Sequence, residues 1–407
     1  MHILLIHQAF ASINEAGGTR HYEMATYLAE RGHQVTIITS PVSYLTGKTQ
    51  RKKIKWIEKQ EINSNIRIFR TYTYPALHKS FFHRIISFFS FMLSSFSAGL
   101  RVRDIDLVWG TSPPIFQGLT AWTLARLKKV PFVFEVRDLW PAFAIAVGVL
   151  KNPFLIRLSL WLEKFLYRHA DVVVVNSPGY IEHVKEKGAT RVKLIPNGVD
   201  PEMFDPLDSG VEFRKANGIG NQFFVVYAGA HGLSNDLEVV LHAAKLLSDE
   251  KDILIGFVGD GKEKRHIQEL AASLDLENVR FFPPVSKFEM KKVLAASDAC
   301  IGILKPLELY KTTYPNKVFD YMAAGRPVVL AIDGEIRKVI DAANGGIAVE
   351  PGNAEALADA IRKLSNDREQ ARKMGINANS YVKLNFNRNN FSEAFLMLLE
   401  DVRRNNG

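Results

Sequence analysis

The chain has 407 residues, of which 47% are apolar and 23% charged, and a formal net charge of +9. That length fits two domains, and that composition excludes a mostly disordered, fibrous or multi-span membrane chain. A single cysteine, Cys300, excludes a disulfide framework or a cysteine-based metal cluster and fits a reducing compartment.

The N-terminus, Met1 to His7, reads as a buried strand that starts at once. It lacks a basic n-region, a long apolar h-region and a cleavage site, so the expected location is the cytoplasm. Ile3–His7, Val35–Thr39, Ile66–Arg70, Leu107–Gly110, Phe132–Val136, Val172–Val175 and Val192–Ile195 read as strands. Helical patterns such as Arg20–Arg31, Phe154–His169 and Tyr180–Lys187 lie between several of them. Near-continuous apolar strands alternating with helices indicate a parallel sheet covered on both faces.

The pattern restarts with strands at Phe223–Ala228, Ile253–Val258, Val279–Phe282, Ala299–Leu304, Pro327–Ala331 and Gly346–Val349. Leu237–Leu247, Lys262–Leu274, Lys287–Ala296 and Lys317–Ala324 read as helices between them. The Gly-, Pro- and Asp-rich break runs from Asn197-Gly198-Val199-Asp200-Pro201 to Asn217-Gly218-Ile219-Gly220. The expected fold is α/β: two doubly wound Rossmann-like domains facing across a cleft, with ligands at the carboxyl ends of the strands. The expected divisions are 1–198, 199–387 and a C-terminal helical segment, 388–407, able to pack on either domain.

Charge is unevenly spread. Residues 1–190 hold 24 Lys/Arg against 13 Asp/Glu, whereas residues 191–407 hold 28 against 30. Positions 43–103 alone carry 12 basic residues and two acids, Glu58 and Glu61. Such a field suits an anionic partner or a charge-solubilised loop. Beside it, Phe81–Leu100 is apolar on nearly every side, with Ser80, His83, Ser87, Ser90, Ser94 and Ser97 forming a weakly polar stripe. Three states stay open for it: spanning a membrane, buried in the first domain, or dipping into one leaflet. Lys79, His83, Arg84, Arg101 and Arg103 inside or flanking it, and the strand that follows, weigh against spanning.

Two motifs carry chemistry. Glu15-Ala16-Gly17-Gly18-Thr19-Arg20 sits between a strand and a helix, where glycines let backbone amides approach a phosphate or simply turn the chain. It is not G-x-G-x-x-G, so dinucleotide binding is not indicated. In Tyr314-Pro315-Asn316-Lys317-Val318-Phe319-Asp320, closed by Gly325 and Pro327, Pro315 starts a helix and Gly325 stops it. Lys317 then lies in the first turn beside free N–H groups, with Asp320 along the same face. The pair can hold a diphosphate and a ribose diol, or Asp320 can serve only the helix N-terminus.

With these motifs the chain resembles the retaining GT-B glycosyltransferases of family 4, the group that includes bacterial O-antigen and capsule sugar transferases. The matching residues run nearly full length: Gly17-Gly18, Ala29-Glu30-Arg31-Gly32-His33-Gln34-Val35, Arg137-Asp138-Leu139-Trp140-Pro141, Asn176-Ser177-Pro178, Pro196-Asn197-Gly198-Val199-Asp200, Tyr227-Ala228-Gly229, Val258-Gly259-Asp260-Gly261 and Asp320 to Pro327. Within the family it is most similar to transferases of N-acetyl-L-fucosamine.

The resemblance implies a retaining enzyme that moves a sugar from a UDP-sugar to an undecaprenyl-diphosphate-linked saccharide. Residues 1–198 then bind the acceptor and 199–387 the donor. Its implied donor site is Gly17, Gly18, Gly229, His231, Gly259, Lys305, Thr312, Asn316, Lys317 and Asp320. The family's E-x7-E motif keeps a carboxylate at Asp320 but has Thr312 at its first position, with Glu308 or Thr313 as substitutes. The family's Arg and Lys after the glycine are also missing near Gly229, leaving Lys317, Lys305 and Arg137 to meet the leaving diphosphate. Arg137, Asp138 and Lys317 are the implied catalytic residues; Asp138 can orient Arg137, touch the acceptor hydroxyl or make a structural salt bridge. No metal, cofactor or nucleic acid is expected. Arg51, Lys52, Lys53, Lys55, Phe88 and Phe89 are the implied membrane and acceptor contacts, for a protein peripheral on the inner face of the cytoplasmic membrane. The competing functions are a GT-B-shaped sugar-nucleotide epimerase, which needs acid and base side chains flanking the sugar, and a non-catalytic protein that binds nucleotide sugars or lipids.

Overall fold

Two sheets gather the β-branched and aromatic runs of the sequence. The computed structural model describes residues 1–15, 17–43, 47–49, 51–75 and 80–406. Ala16 of the glycine motif and Lys79 ahead of the phenylalanine-rich helix lie outside the described residues. The chain divides into one unit of Met1–Ser12, Gly18–Pro196 and Asn389–Gly407, and a second of Ile13–Gly17 and Asn197–Arg388.

The first unit holds strands β1 (His2–Ile6), β2 (Gln34–Thr39), β3 (Ile57–Glu61), β4 (Ile66–Thr71), β5 (Leu107–Ser112), β6 (Phe132–Val136), β7 (Val172–Val175) and β8 (Val192–Leu194). Their order is β3-β4-β2-β1-β5-β6-β7-β8, parallel throughout except the β3–β4 edge pair. β3, Ile-Glu-Lys-Gln-Glu, was not expected, because its polar sequence has no apolar alternation. Helices α1 (Arg20–Glu30), α2 (Phe81–Arg101), α3 (Phe116–Lys128), α4 (Ala142–Ala146), α5 (Pro153–His169) and α6 (Ile181–Glu186) lie between the strands.

Side chains alternate across each strand, so β6 feeds two different layers. Val133 joins the core with Met24 and Leu28 of α1. Phe134 turns the other way; a Cβ on Gly118 of α3 would lie 2.7 Å from it and 2.8 Å from Leu166 of α5. The last helix, α15 (Arg388–Asn406), sets Phe395, Leu399 and Val402 into the α1-side core.

The α2 helix resolves its own ambiguity. Its serines face inward: Ser94 Oγ donates to the Tyr72 carbonyl at 2.6 Å, and Ser90 Oγ accepts from the Tyr74 N–H at 2.9 Å. Phe91 and Ala98 are buried with them, while Phe82, Leu93 and Leu100 face outward. The polar stripe therefore satisfies neighbouring backbone, and the outer surface is apolar. Among the described residues no helix is long and apolar enough to cross a membrane.

The second unit runs α7 (Val211–Ala216), β9 (Phe223–Ala228), α8 (Leu237–Leu246), β10 (Ile253–Val258), α9 (Lys264–Ser273), β11 (Val279–Phe282), α10 (Lys287–Ala296), β12 (Ala299–Ile303), α11 (Asn316–Ala323), β13 (Val328–Ala331), α12 (Glu335–Ala343), β14 (Gly346–Ala348), α13 (Ala354–Asn366) and α14 (Arg368–Asn385). Its sheet, β11-β10-β9-β12-β13-β14, is wholly parallel. β9 and β10 are fully buried, which accounts for their unbroken apolar sequences. The order reverses at β9, where β10 lies on one side and β12 on the other; such a switch point is where doubly wound sheets bind ligands. Both sheets and their layers are Rossmann-like.

Candidate active site

Past the carboxyl end of β9 the chain turns at Gly229, whose φ of 144° suits glycine. A Cβ there would lie 2.9 Å from Lys317 Nζ. The neighbouring turn after β10 uses Gly259, where a Cβ would fall 1.9 Å from the Gly229 carbonyl oxygen. The two glycines let the two loops nest and admit the lysine between them. Tyr321, one turn beyond Lys317, fixes α11 in place: its hydroxyl accepts from the Ala228 N–H and donates to the Ala228 carbonyl, both at 2.9 Å.

Lys317 Nζ donates to Tyr227 Oη at 2.6 Å and to Asn235 Oδ1 at 3.3 Å, and stands 4.0 Å from the Tyr227 ring centroid. Every one of these partners is neutral. Burial lowers its ammonium to about 7. Among the described residues no carboxylate pairs with it, although the side chain keeps partial contact with solvent. His231 lies close by, fully buried, with Nε2 3.4 Å from the position of a Gly259 Cβ. Burial, then the charges of Lys264 and Lys317, lower it to about 4, so it is neutral at physiological pH. Neither of its ring nitrogens has a hydrogen-bond partner among the described residues, nor does Asn316 Oδ1 at the start of α11. A buried cation and buried unpaired polar atoms at a switch point form a place for an anionic, hydrogen-bonding ligand.

Four of the expected donor residues therefore gather around Lys317: Gly229, His231, Gly259 and Asn316. Asp320 is less free than the sequence suggested. Its Oδ1 takes Lys287 Nζ at 2.5 Å, and that ammonium also stands 5.5 Å from the Phe204 ring. Lys287 opens α10 beneath a Ser286–Glu289 capping box, and nothing in its sequence setting marks it as a partner of Asp320. Thr312 turns its hydroxyl to the Leu309 carbonyl at 2.6 Å. The Lys305 N–H donates to the Ser234 carbonyl at 2.9 Å, and the residue lines a cavity with Tyr310, Asp333 and Glu350.

In the first unit, Glu135 on β6 forms a buried network that the sequence reading missed. It accepts from Arg20 Nε at 2.9 Å, His21 Nε2 at 2.8 Å and Trp109 Nε1 at 3.0 Å. Arg20 continues to the carbonyls of Pro196 and Ile195 at 2.7 and 2.8 Å. Burial opposes a charge on Glu135, but His21 and Arg20 outweigh it and hold the carboxyl well below the usual carboxylate range. Burial pushes His21 down to about 4, so at neutral pH it donates as a neutral ring. His7, just past β1, has its ring centroid 4.2 Å from that of His21, the rings tilted by 45°, and is likewise held neutral, by burial and then by Arg137.

Arg137, two residues past Glu135, donates to the Pro113 carbonyl at 2.9 Å, while Asn176 Nδ2 donates to the Arg137 carbonyl at 3.1 Å. Asp138 follows it and is exposed. Gly17 and Gly18 are exposed ahead of α1.

At the surface, Lys52, Lys53 and Lys55 are exposed beside Trp56, whereas Arg51 is half-buried and ion-paired with Glu58. Phe88 corrects an expectation: at 6% exposed, its ring packs 5.8 Å from that of Phe116 and does not face a membrane. Phe89, at 47%, does lie on the surface. The sequence could not separate two adjacent phenylalanines on a helix apolar all round.

Residues 16–198 match the glycosyl transferase 4-like domain and residues 211–381 match glycosyl transferases group 1. WcaI of Escherichia coli (strain K12), a glycosyl transferase assigned to colanic acid biosynthesis, is 26% identical over 84% of this chain and 86% of its own. Among solved structures, sucrose-phosphate synthase from Thermosynechococcus elongatus superposes with a TM-score of 0.77 at 19% identity over 98% of both chains. Anabaena HepE in complex with UDP-glucose gives 0.73 at 16% identity, over 98% of this chain and 100% of that one. With one of these domains on each Rossmann-like unit, the chain belongs to the GT-B glycosyltransferases, group 1 and 4-like, and is an enzyme of glycosyl transfer.

Proposed function

We propose that this enzyme transfers a sugar, with retention, from a UDP-sugar to a lipid-diphosphate-linked saccharide in bacterial surface polysaccharide synthesis. The observation that carries the reading is Lys317, a half-buried ammonium whose partners among the described residues are all neutral, at the switch point of the second unit. A diphosphate supplies the missing negative charge, and the ammonium in turn stabilises the charge that builds on the leaving phosphate. The anomeric carbon–oxygen bond breaks with its electron pair passing to the β-phosphate oxygen. The acceptor oxygen bonds to the same face of that carbon, and its proton passes to the leaving phosphate. Neither a protein nucleophile nor a metal is needed for this course.

In this reading Asp320, steadied by Lys287, accepts from the ribose hydroxyls, and His231 and Asn316 offer polar atoms to the rest of the donor. Arg137 and Asp138 serve the acceptor side. HepE binds UDP-glucose in its crystals and WcaI is assigned to colanic acid synthesis, which supports UDP as the carrier and surface polysaccharide as the destination. N-acetyl-L-fucosamine is the first sugar to try.

The test is incubation with radiolabelled UDP-sugars and undecaprenyl-diphosphate-linked acceptors. Label entering the organic phase is the expected result. An isomerised sugar nucleotide left in water would make the protein an epimerase, and tight binding without turnover a carrier.

A further inference from the structure

We infer that α5 is a membrane-inserting helix, which docks the first unit on an anionic bilayer together with α2. The inference deepens the lipid-acceptor reading by naming the surface that meets the lipid.

Phe154, Leu158 and Trp161 lie at i, i+4 and i+7, on one side of α5. They are 72%, 45% and 58% exposed. A soluble helix with this amphipathic pattern would turn that side to the core, but α5 buries Glu163, Leu166 and Tyr167 on its other side and leaves this one outside. The stripe does not stand alone. α2, α3 and α5 form one layer: Phe89 of α2 packs 5.5 Å from Phe116 of α3, and Trp122 of α3 packs 4.8 Å from Phe165 of α5. Phe89 and Leu93 of α2 are exposed on the same layer.

Charge identifies the occupant. These three helices contain seven Lys or Arg and a single carboxylate, Glu163. That carboxylate is 1% exposed and is taken by His183 at 2.7 Å and Lys187 at 3.5 Å. The outer surface of the layer is thus apolar and cationic, with Arg157, Lys164 and Arg168 exposed along α5. Helices α1 and α15, on the other side of the sheet, mix Glu23, Glu30, Glu400 and Asp401 with Arg31 and Arg403. An apolar stripe flanked by cations, on helices that expose no carboxylate, matches acyl chains beneath anionic headgroups, and Trp161 is the side chain suited to that boundary.

The test compares the full-length protein with Phe154→Gln/Leu158→Gln/Trp161→Gln, changes that remove only exposed groups and keep helix-forming residues. Sedimentation uses vesicles of 30% phosphatidylglycerol in phosphatidylcholine, without any sugar nucleotide. The expected result is a loss of partitioning of roughly tenfold or more. In parallel, Leu158→Cys labelled with an environment-sensitive dye should shift to the blue on these vesicles and not on pure phosphatidylcholine; Cys300 is buried. Unchanged sedimentation of the triple variant, or a dye that stays in water while the protein sediments, overturns the proposal. So does a dimer that becomes a monomer in the triple variant with vesicle binding intact, since the face would then join two copies. Wild-type protein that inserts α5 yet transfers no sugar to lipid acceptors supports the surface and removes the lipid-acceptor reading.

Discussion

Each unit buries a positive charge near the carboxyl ends of its strands, and the two are treated in opposite ways. Arg20 meets Glu135 and two carbonyls, so its charge is matched within the protein. Lys317 meets a tyrosine hydroxyl and an amide oxygen, so its charge is not. Lowering a lysine from its ordinary range to about 7 corresponds to on the order of 4 kcal/mol against the charged form, reduced by what solvent contact remains. A matched buried pair holds a fold together, whereas an unmatched cation is strained until an anion arrives. The difference separates a structural network from a site, although both are clusters of buried charge.

The largest effect should come from breaking the matched side. Glu135→Ala strands Arg20 and the Trp109 N–H in the core and should cost about 3–5 kcal/mol. In calorimetry the transition of the first unit should move and that of the second stay. A stable Glu135→Ala enzyme that has lost transfer would instead place Glu135 in the chemistry. Next is the unmatched side: Lys317→Ala should stay folded and lose about 10²- to 10³-fold in kcat/KM. Normal turnover in that variant would remove Lys317 from the site and with it the contrast.

pH separates the two kinds of charge further. UDP should raise the lysine's proton affinity, so UDP binding should take up a proton and weaken as pH rises from 7 to 9, by up to about tenfold per unit. Calorimetry in buffers of different ionisation enthalpy reads this directly, and Lys317→Met should flatten it. Stability responds at the other end. His21 and His231 have folded values near 4, below the ordinary 6.5, so the unfolded chain binds protons that the folded one does not. Their contribution is full above pH 6.5 and is lost as pH falls toward 4. Thermal midpoints should fall through that window in both units.

Much of this architecture was legible because burial leaves an unambiguous imprint: β9 and β10 are apolar at every position since both faces are covered. β3 left no such imprint, being an edge strand with one isoleucine followed by four charged or amide residues. The lysine of the site could be read from Pro315 and Gly325 bounding its helix, which fix its turn. Lys287 could not, because it reaches Asp320 from 33 residues away through tertiary packing alone. Glu135 was hidden too, since one acid within an apolar strand names no partner. The packing of α15 in the α1-side core was likewise open, as its apolar face would suit either sheet.

The Lys287–Asp320 pair lies between the two extremes, a matched pair inside the proposed donor site. Asp320→Asn should raise the KM for the UDP-sugar roughly tenfold with little change in kcat, the loss of a charge-assisted bond to the ribose. Lys287→Ala leaves the carboxylate in place but unsteadied, and should raise KM less.

The smallest effects belong to surface charge, where the distinction between matched and unmatched fades because each removed cation changes the local charge by one unit. Arg51 is already paired with Glu58, while Lys52, Lys53 and Lys55 point into solvent. Removing a cation near an anionic bilayer costs up to about 1 kcal/mol each. Lys52→Gln/Lys53→Gln/Lys55→Gln should therefore weaken sedimentation with phosphatidylglycerol vesicles several-fold at low salt. Arg51→Gln should weaken it by about as much as the loss of one lysine, because it leaves the Glu58 charge uncancelled near the anionic surface. Raising salt to about 0.5 M should erase the triple variant's deficit, since screening shortens the reach of exposed charges. It should not erase a deficit produced by removing apolar side chains from α5. If salt restores neither or both, the loop and the helix do not act on the bilayer as a charge and an anchor.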